Sequence, residues 1–405
     1  MPFEAAPPEL NARLAGLSDY PFTRLAQLLA DVTPRANTAP LALSVGEPQH
    51  APPAILAETL AKAPLSDWAK YPPVAGTPAF RQSVEAYLRR RYGLPEGMVD
   101  HEAGILPLAG TREALFQVAL LACPPEKAGR RPAVLIPNPF YAVYEGAAVL
   151  AGAEPVFLPA TKETGFLPDL DALPEELLAR TALFYLCSPA NPQGAVASLD
   201  YLKKALTLAR RHGFVLAMDE CYNDIWDKAP PPGALEAAQA MGGNLQNLLV
   251  FQSLSKRSNA AGLRSGFVAG HPDLIRAFSR LRSYGLAGNP IPALAASVAL
   301  WSDDAHVEEN RRLYRLKFDA AEAALAGRFG FYRPAGGFFL WLDVGDGERA
   351  ARTLWREAAL RVLPGAYLTS PDAGGTNQGA RYIRVALVHD APTVAAACAR
   401  IADLL

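Results

Sequence analysis

The chain is predicted to fold as an α/β protein on a mostly parallel sheet, with a smaller α+β unit beside it. Three observations carry this expectation. Short apolar runs alternate with helical stretches through residues 105–218. The runs are continuously apolar rather than alternating, which is the pattern of strands buried on both faces. From about Pro290 the texture changes to longer helices and isolated strands.

In chain order, 105–108 reads as a strand and 112–121 as a helix. A strand at 133–136 is followed by a helix over 141–150. Strands at 155–157 and 182–186 precede a helix over 199–211 and a strand at 214–218. Two further apolar runs, 248–251 and 266–269, bracket a segment that contains Lys256. In the second unit a helix over 307–325 leads to a strand at 338–342, a helix over 350–359 and a strand over 382–388. The expected division is therefore an N-terminal segment, 1–48, packed with the small unit, a large domain over 49–290, and a small C-terminal domain over 291–405. Paired prolines such as Pro52-Pro53 and Pro72-Pro73 mark turns, because apolar elements resume promptly after each.

Composition narrows the partners. With 405 residues, half of them hydrophobic, the chain can bury a large core. Lys and Arg total 39 against 40 Asp and Glu, so no net field favours nucleic acid or an anionic membrane. Cys123, Cys187, Cys221 and Cys398 lack metal-ligand spacing, and Cys187 and Cys221 read as small core residues of a reducing compartment. No basic start with an apolar core precedes the first elements, and no uninterrupted run approaches the roughly 18 apolar residues of a membrane span. A small metabolite and a cytoplasmic setting are expected.

Ligands of such sheets gather where strands end, and chemically capable residues cluster there. Lys256 lies in Ser253-Leu254-Ser255-Lys256-Arg257-Ser258-Asn259, with Arg264 downstream. Its amine suits a Schiff base with an aldehyde cofactor, and Ser253, Ser255 and Arg264 suit the cofactor's phosphate. A solvated basic turn is the competing reading. The turn Ala109-Gly110-Thr111-Arg112 opens a helix, where backbone N–H groups can receive a phosphate; an ordinary helix start would look the same. Asp219 ends a strand and could keep a pyridine nitrogen protonated, with Tyr222 donating to the ring's oxygen, or it could cap a turn. Asn191, in Ser188-Pro189-Ala190-Asn191-Pro192-Gln193-Gly194, offers an amide from a stiff loop. Tyr141 could stack on a ring or pack in the core. Arg384, with apolar neighbours on both sides, needs a carboxylate: a substrate's or an internal one. Each signal is weak alone; together they fall in the order a phosphate-bearing aldehyde cofactor requires.

The set resembles the fold-type I pyridoxal-phosphate aminotransferases of class I/II over nearly the whole length. The matching phrases are Ser44-Val45-Gly46-Glu47-Pro48, Tyr71 to Gly76, Gly110-Thr111, Asn191-Pro192, Asp219 with Tyr222, the lysine segment with Arg264, and Arg384. The resemblance implies pyridoxal 5'-phosphate on a seven-stranded large domain. It implies that Lys256 forms the Schiff base, Asp219 pairs with the ring nitrogen, Tyr222 and Asn191 contact the ring hydroxyl, and Tyr141 stacks on the ring. Gly110, Thr111, Ser253 and Arg264, with Arg112 and Ser255, would bind phosphate. Arg384 would take the substrate's α-carboxylate with Gly46 close by. A homodimer is also implied, with Tyr71 reaching into the neighbouring subunit's site.

Finer phrases are similar to the succinyldiaminopimelate aminotransferases of bacterial lysine biosynthesis: Pro137-Asn138-Pro139-Phe140-Tyr141, Asp219-Glu220-Cys221-Tyr222, the lysine segment, and Asp304-Ala305-His306-Val307-Glu308-Glu309-Asn310. The chain departs at Gln193, where Thr is usual, and at Asn377-Gln378-Gly379, where Asn-Pro-Gly is expected. The implied reaction is a ping-pong amino transfer between N-succinyl-LL-2,6-diaminopimelate and 2-oxoglutarate or glutamate. Aspartate, aromatic or alanine-type aminotransferases and C–S lyases share the scaffold and stay open. A non-catalytic effector-binding domain is the alternative of another class, disfavoured by the intact Lys256, Asp219 and Arg384.

Overall fold

A computed structural model describes residues 9–36, 38–285 and 288–405. Its central sheet has seven strands: β1 Ile105–Leu108, β2 Ala133–Asn138, β3 Glu154–Pro159, β4 Thr181–Cys187, β5 Val215–Asp219, β6 Leu248–Ser253 and β7 Gly266–Gly270. Their spatial order is β1-β7-β6-β5-β4-β2-β3. Only β7 runs against its neighbours, because the short connection from β6 turns back rather than crossing over the sheet.

The continuous apolar runs are explained by two cores, one on each face. In β4, Phe184 and Leu186 enter one core while Leu183 and Tyr185 enter the other. In β5, Leu216 and Met218 part from Val215 and Ala217 in the same way, as in β6 Leu248 and Val250 part from Leu249 and Phe251. Successive side chains point to opposite faces, and here both faces are covered. Helices α1 Pro78–Tyr92, α2 Leu199–His212 and α3 Ile291–Ser302 cover the first face. Helix α3 follows the expected boundary at 290, and its Leu294, Leu300 and Trp301 pack into the core of the large sheet.

The small unit is a three-stranded antiparallel sheet of Leu363–Pro364, Tyr382–Ala386 and Phe339–Asp343, in that order. Helices Ala305–Leu325, Gly347–Ala358 and Ala391–Leu404 pack with it. The N-terminal segment serves both units. Leu25 and Leu29 pack on Trp341 and Leu363 of the small one, whereas Arg13 donates to the Leu150 carbonyl (3.1 Å) and Ser18 to Glu145 (2.9 Å) of the large one. No helix among the described residues is long and apolar enough to cross a membrane.

Candidate active site

Because the parallel strands end along one edge, residues far apart in sequence meet there. A cavity of about 520 Å³ opens at this edge. Gly46, Thr111, Arg112, Tyr141, Asn191, Asp219, Tyr222, Ser253, Ser255, Lys256, Arg264 and Arg384 all line it. Of the residues expected in the site, two do not. Gly110 lies at the edge beside Arg264, and Tyr71 is almost fully exposed (99 %).

Lys256 sits in the four-residue helix Leu254–Arg257 that follows β6 directly. Its amine donates to the Gly46 carbonyl. Burial is the largest influence on it and brings the ammonium down to about 8, so a neutral, nucleophilic amine is accessible near physiological pH.

Asp219 closes β5 and is buried. Tyr144 donates its hydroxyl to Oδ2 at 2.6 Å, and the Cys221 backbone N–H donates to Oδ1 at 3.2 Å. Burial raises the carboxyl's pKa, and the Cys221 thiol, the Tyr144 hydroxyl and the Cys221 backbone N–H oppose the rise. No cation lies within ion-pairing distance of it among the described residues. A buried carboxylate in that condition awaits a partner.

At the opposite end, Gly110 holds φ +83° as the residue before helix Thr111–Ala122. A side chain there would be strained and would run into the Arg264 guanidinium. Arg264 itself adopts a left-handed conformation (φ 53°) and donates to the carbonyls of Ala261 (2.7 Å) and Ala109 (2.8 Å). A helix N-terminus, the Thr111 and Ser253 hydroxyls and this guanidinium make a cup of donors suited to an anion.

Arg384 comes from the small sheet, opposite Trp341 and Leu363. It donates to Asn191 Oδ1 (3.0 Å) and to the Ser44 carbonyl (2.6 Å), lies over the Phe339 ring, and leaves Nε unpartnered. Burial pulls it down to about 10, so it stays charged. Arg112 donates Nε–H to the Tyr141 hydroxyl at 2.6 Å.

Sequence reading missed several wall residues. Tyr144, the donor to Asp219, was hidden within a helix; its ring stacks on Tyr185 at 4.5 Å. Cys187 and Cys221, expected in the core, line the cavity, because a residue at or past a strand's end leaves the sheet's cover. The Cys221 thiol lies 2.9 Å from the Thr111 hydroxyl. Gln193 is buried, lines the cavity and receives a hydrogen bond from Tyr332 on its carbonyl (2.7 Å). Asn377 has a folding role: its Oδ1 accepts from Thr369 (2.5 Å) and from the Gly379 N–H (2.9 Å).

Lys256, Arg264, Arg384 and Arg112 thus converge on one cavity, and none has a carboxylate within 4 Å among the described residues. With an anion cup at one end, an unpaired buried acid and an amine of lowered pKa, this fold and site define an enzyme class that grips an anionic cofactor by a lysine. The comparisons agree. A model of the family "Aminotransferase class I and II" matches residues 38–401, and the chain belongs to this family. It is 35% identical over 363 residues to the 4-dedimethylamino-4-oxo-anhydrotetracycline transaminase of Streptomyces rimosus, covering 89% of this chain and 92% of that one. To an LL-diaminopimelate aminotransferase of Desulforudis audaxviator it is 30% identical over 402 residues, 97% of each. A solved aminotransferase from Neisseria meningitidis superposes with TM-score 0.92 at 41% identity, covering 98% of this chain and 100% of that one. A probable N-succinyldiaminopimelate aminotransferase from Thermus thermophilus gives 0.83 at 26%, covering 95% and 100%. The chain is a pyridoxal-phosphate-dependent aminotransferase.

The residues present fit that cofactor. The cup suits its phosphate, the unpaired Asp219 suits a protonated ring nitrogen, and the amine lies in the same cavity.

Proposed function

We propose that this enzyme transfers an amino group between N-succinyl-LL-2,6-diaminopimelate and 2-oxoglutarate or glutamate in bacterial lysine and diaminopimelate biosynthesis, in the cytoplasm. The observation that carries the reading is the set of cations without acid partners. One sits in the phosphate cup, and Arg384 and Arg112 are left for a substrate with an anion at each end. The relatives named for LL-diaminopimelate and N-succinyldiaminopimelate, and the phrases around Lys256 and His306, support the same substrate class.

In this reading the Lys256 amine holds the cofactor's aldehyde, and Gly110, Thr111, Ser253, Ser255 and Arg264 bind its phosphate. Asp219 addresses the ring nitrogen, Tyr222 and Asn191 the ring oxygen, and Tyr141 the ring face. When bound, the cofactor supplies an electron sink for the charge left when a substrate loses its Cα proton. Released when the substrate's amine takes its place on the aldehyde, the Lys256 amine would move that proton. Held beside the reacting carbon, the amine acts within one complex, which can contribute roughly 7–11 kcal/mol to lowering the barrier. Arg384, with Gly46 next to it, orients the α-carboxylate. Arg112, assigned by resemblance to the phosphate group, has its guanidinium on Tyr141, and we assign it to the distal carboxylate.

The protein acts as a homodimer in this reading. Leu65, Trp68, Tyr71 and Tyr284 are exposed apolar side chains of the large unit, of the kind a second copy would cover, and Tyr71 would reach the partner's site. The three-part division belongs to the same proposal, with its second boundary moved from 290 to the end of helix α3, because Ile291–Ser302 packs with the large unit.

The test is a spectroscopic half-reaction with N-succinyl-LL-2,6-diaminopimelate, LL-diaminopimelate, glutamate, aspartate and an aromatic amino acid in turn. Fast conversion with the first and with glutamate is expected. Preference for free LL-diaminopimelate or an aromatic donor would overturn the substrate, and pyruvate release from a thioether substrate would favour a lyase.

A further inference from the structure

The phrase around His306 lines no part of the cavity, yet three of its residues, Asp304, His306 and Asn310, meet three successive residues of the lysine segment. Arg257 Nη2 donates to Asp304 Oδ1 at 2.7 Å. Ser258 Oγ lies 2.8 Å from His306 Nε2. Asn259 Nδ2 donates to Asn310 Oδ1 at 3.2 Å. Asn310, itself buried, donates Nδ2–H to the carbonyls of Lys256 (3.1 Å) and Arg257 (3.3 Å). Those are end carbonyls of a one-turn helix, which otherwise lack partners.

The histidine's tautomer follows from its neighbours. Asp303 Oδ2 stands 2.5 Å from Nδ1, which places the ring proton there and leaves Nε2 to accept from the Ser258 hydroxyl. Burial lowers the His306 pKa, in keeping with the neutral ring. Asp303, His306 and Ser258 have the order of a nucleophile relay. Ser258, however, is 1 % exposed and outside the cavity, so the relay holds rather than attacks.

We propose that Asn310, His306 and Ser258 are positioning residues for the Lys256 amine, forming a clasp that fixes the backbone on which this lysine leaves the end of β6. The proposal rests on the assignment of Lys256 above. Because the clasp's helix, Ala305–Leu325, also carries Tyr314 into the core of the small unit, it ties that unit to the lysine segment.

Asn310→Ala, Ser258→Ala and His306→Ala test this, with Glu309→Gln as a control from the same phrase; Glu309 pairs with Arg312 at the surface. In cofactor-free protein, hydrogen exchange at the Ser258 amide, which bonds to the Leu254 carbonyl, is expected to quicken by about tenfold or more in the clasp variants. In loaded protein, the pH midpoint of the lysine-linked cofactor's absorbance is expected to move by about half a unit or more, and kcat to fall by about tenfold with KM nearly constant. Glu309→Gln is expected to match the parent throughout. Unchanged exchange and an unchanged midpoint in folded Asn310→Ala and Ser258→Ala would overturn the clasp. Should Asn310→Ala fail to fold, Ser258→Ala decides, since it removes one oxygen. Lys256→Ala separates the two readings: retained turnover there would sink the lysine assignment, whereas inactive Lys256→Ala beside unaffected clasp variants would sink the clasp alone.

Discussion

Arg384 Nη1 donates to Asn191 Oδ1 at 3.0 Å, joining the small antiparallel sheet to the loop after β4 of the large one. The guanidinium is buried and has no acid partner among the described residues, so the amide holds its position without neutralising it. A planar fork fixed in this way can present two parallel N–H groups to a carboxylate.

Arg384→Lys keeps the charge and loses the fork. We expect kcat/KM for the amino donor to fall roughly 10- to 100-fold, the worth of a hydrogen bond to a charged group, with most of the change in KM. Steady-state kinetics at several donor concentrations checks this; an unchanged KM would remove Arg384 from substrate binding.

Tyr144 and Asp219 form the next testable pair, at 2.6 Å. Tyr144→Phe deletes one of the donors that favour the carboxylate form, so the Asp219 pKa should rise further and its hold on a ring nitrogen should weaken. The half-reaction rate is expected to drop about tenfold. Asp219→Asn, which cannot carry charge, should lose roughly 10²–10³. Equal rates in Asp219→Asn and the parent would refute its role.

The lowered Lys256 pKa has a direct kinetic consequence. Below about 8 the amine is an ammonium and cannot attack; above it the neutral form dominates. Uptake of pyridoxal 5'-phosphate by cofactor-free protein, followed by absorbance, should therefore accelerate with rising pH through a midpoint near 8. A midpoint near the ordinary lysine value would contradict the burial argument.

Lys317 offers a stability test away from the chemistry. Its side chain is fully buried, Nζ has no hydrogen-bond partner among the described residues, and burial brings it down to about 7. A base with a depressed folded pKa binds fewer protons folded than unfolded, so stability rises with pH between the folded and unfolded values. Lys317→Met should stabilise by an amount on the order of 4 kcal/mol below pH 7, shrinking toward zero near pH 10.5. Urea melts at pH 6.5 and 10 decide; equal shifts at both would show that the lysine is solvated.

Where the sequence was legible, physical signals were local. Strands β1 to β5 announced themselves because both faces are covered and both must be apolar, and Gly110 because a glycine at a helix start lets a phosphate approach the backbone N–H groups. Lys256, Asp219 and Arg384 stood out as charges next to apolar runs. Tyr144 did not, since a tyrosine within a helix reads as core, and its hydroxyl acquires meaning only where β5 ends beside it. The place of Cys187 and Cys221 on the cavity wall was hidden for the same reason: strand ends look like strand interiors until the edge of the sheet is known.

By itself the amino-acid order determined the α/β class, the strand-end clustering of reactive residues and the lysine that a carbonyl cofactor needs, because each depends on neighbours a few positions away. Tertiary structure alone decided that Arg384 meets Asn191, that Asn310 reaches behind Lys256, and that four cations share a cavity with none of them ion-paired to a carboxylate among the described residues. Those relationships join residues up to hundreds of positions apart, and only the packing of two sheets sets the distances over which charge and hydrogen bonding act.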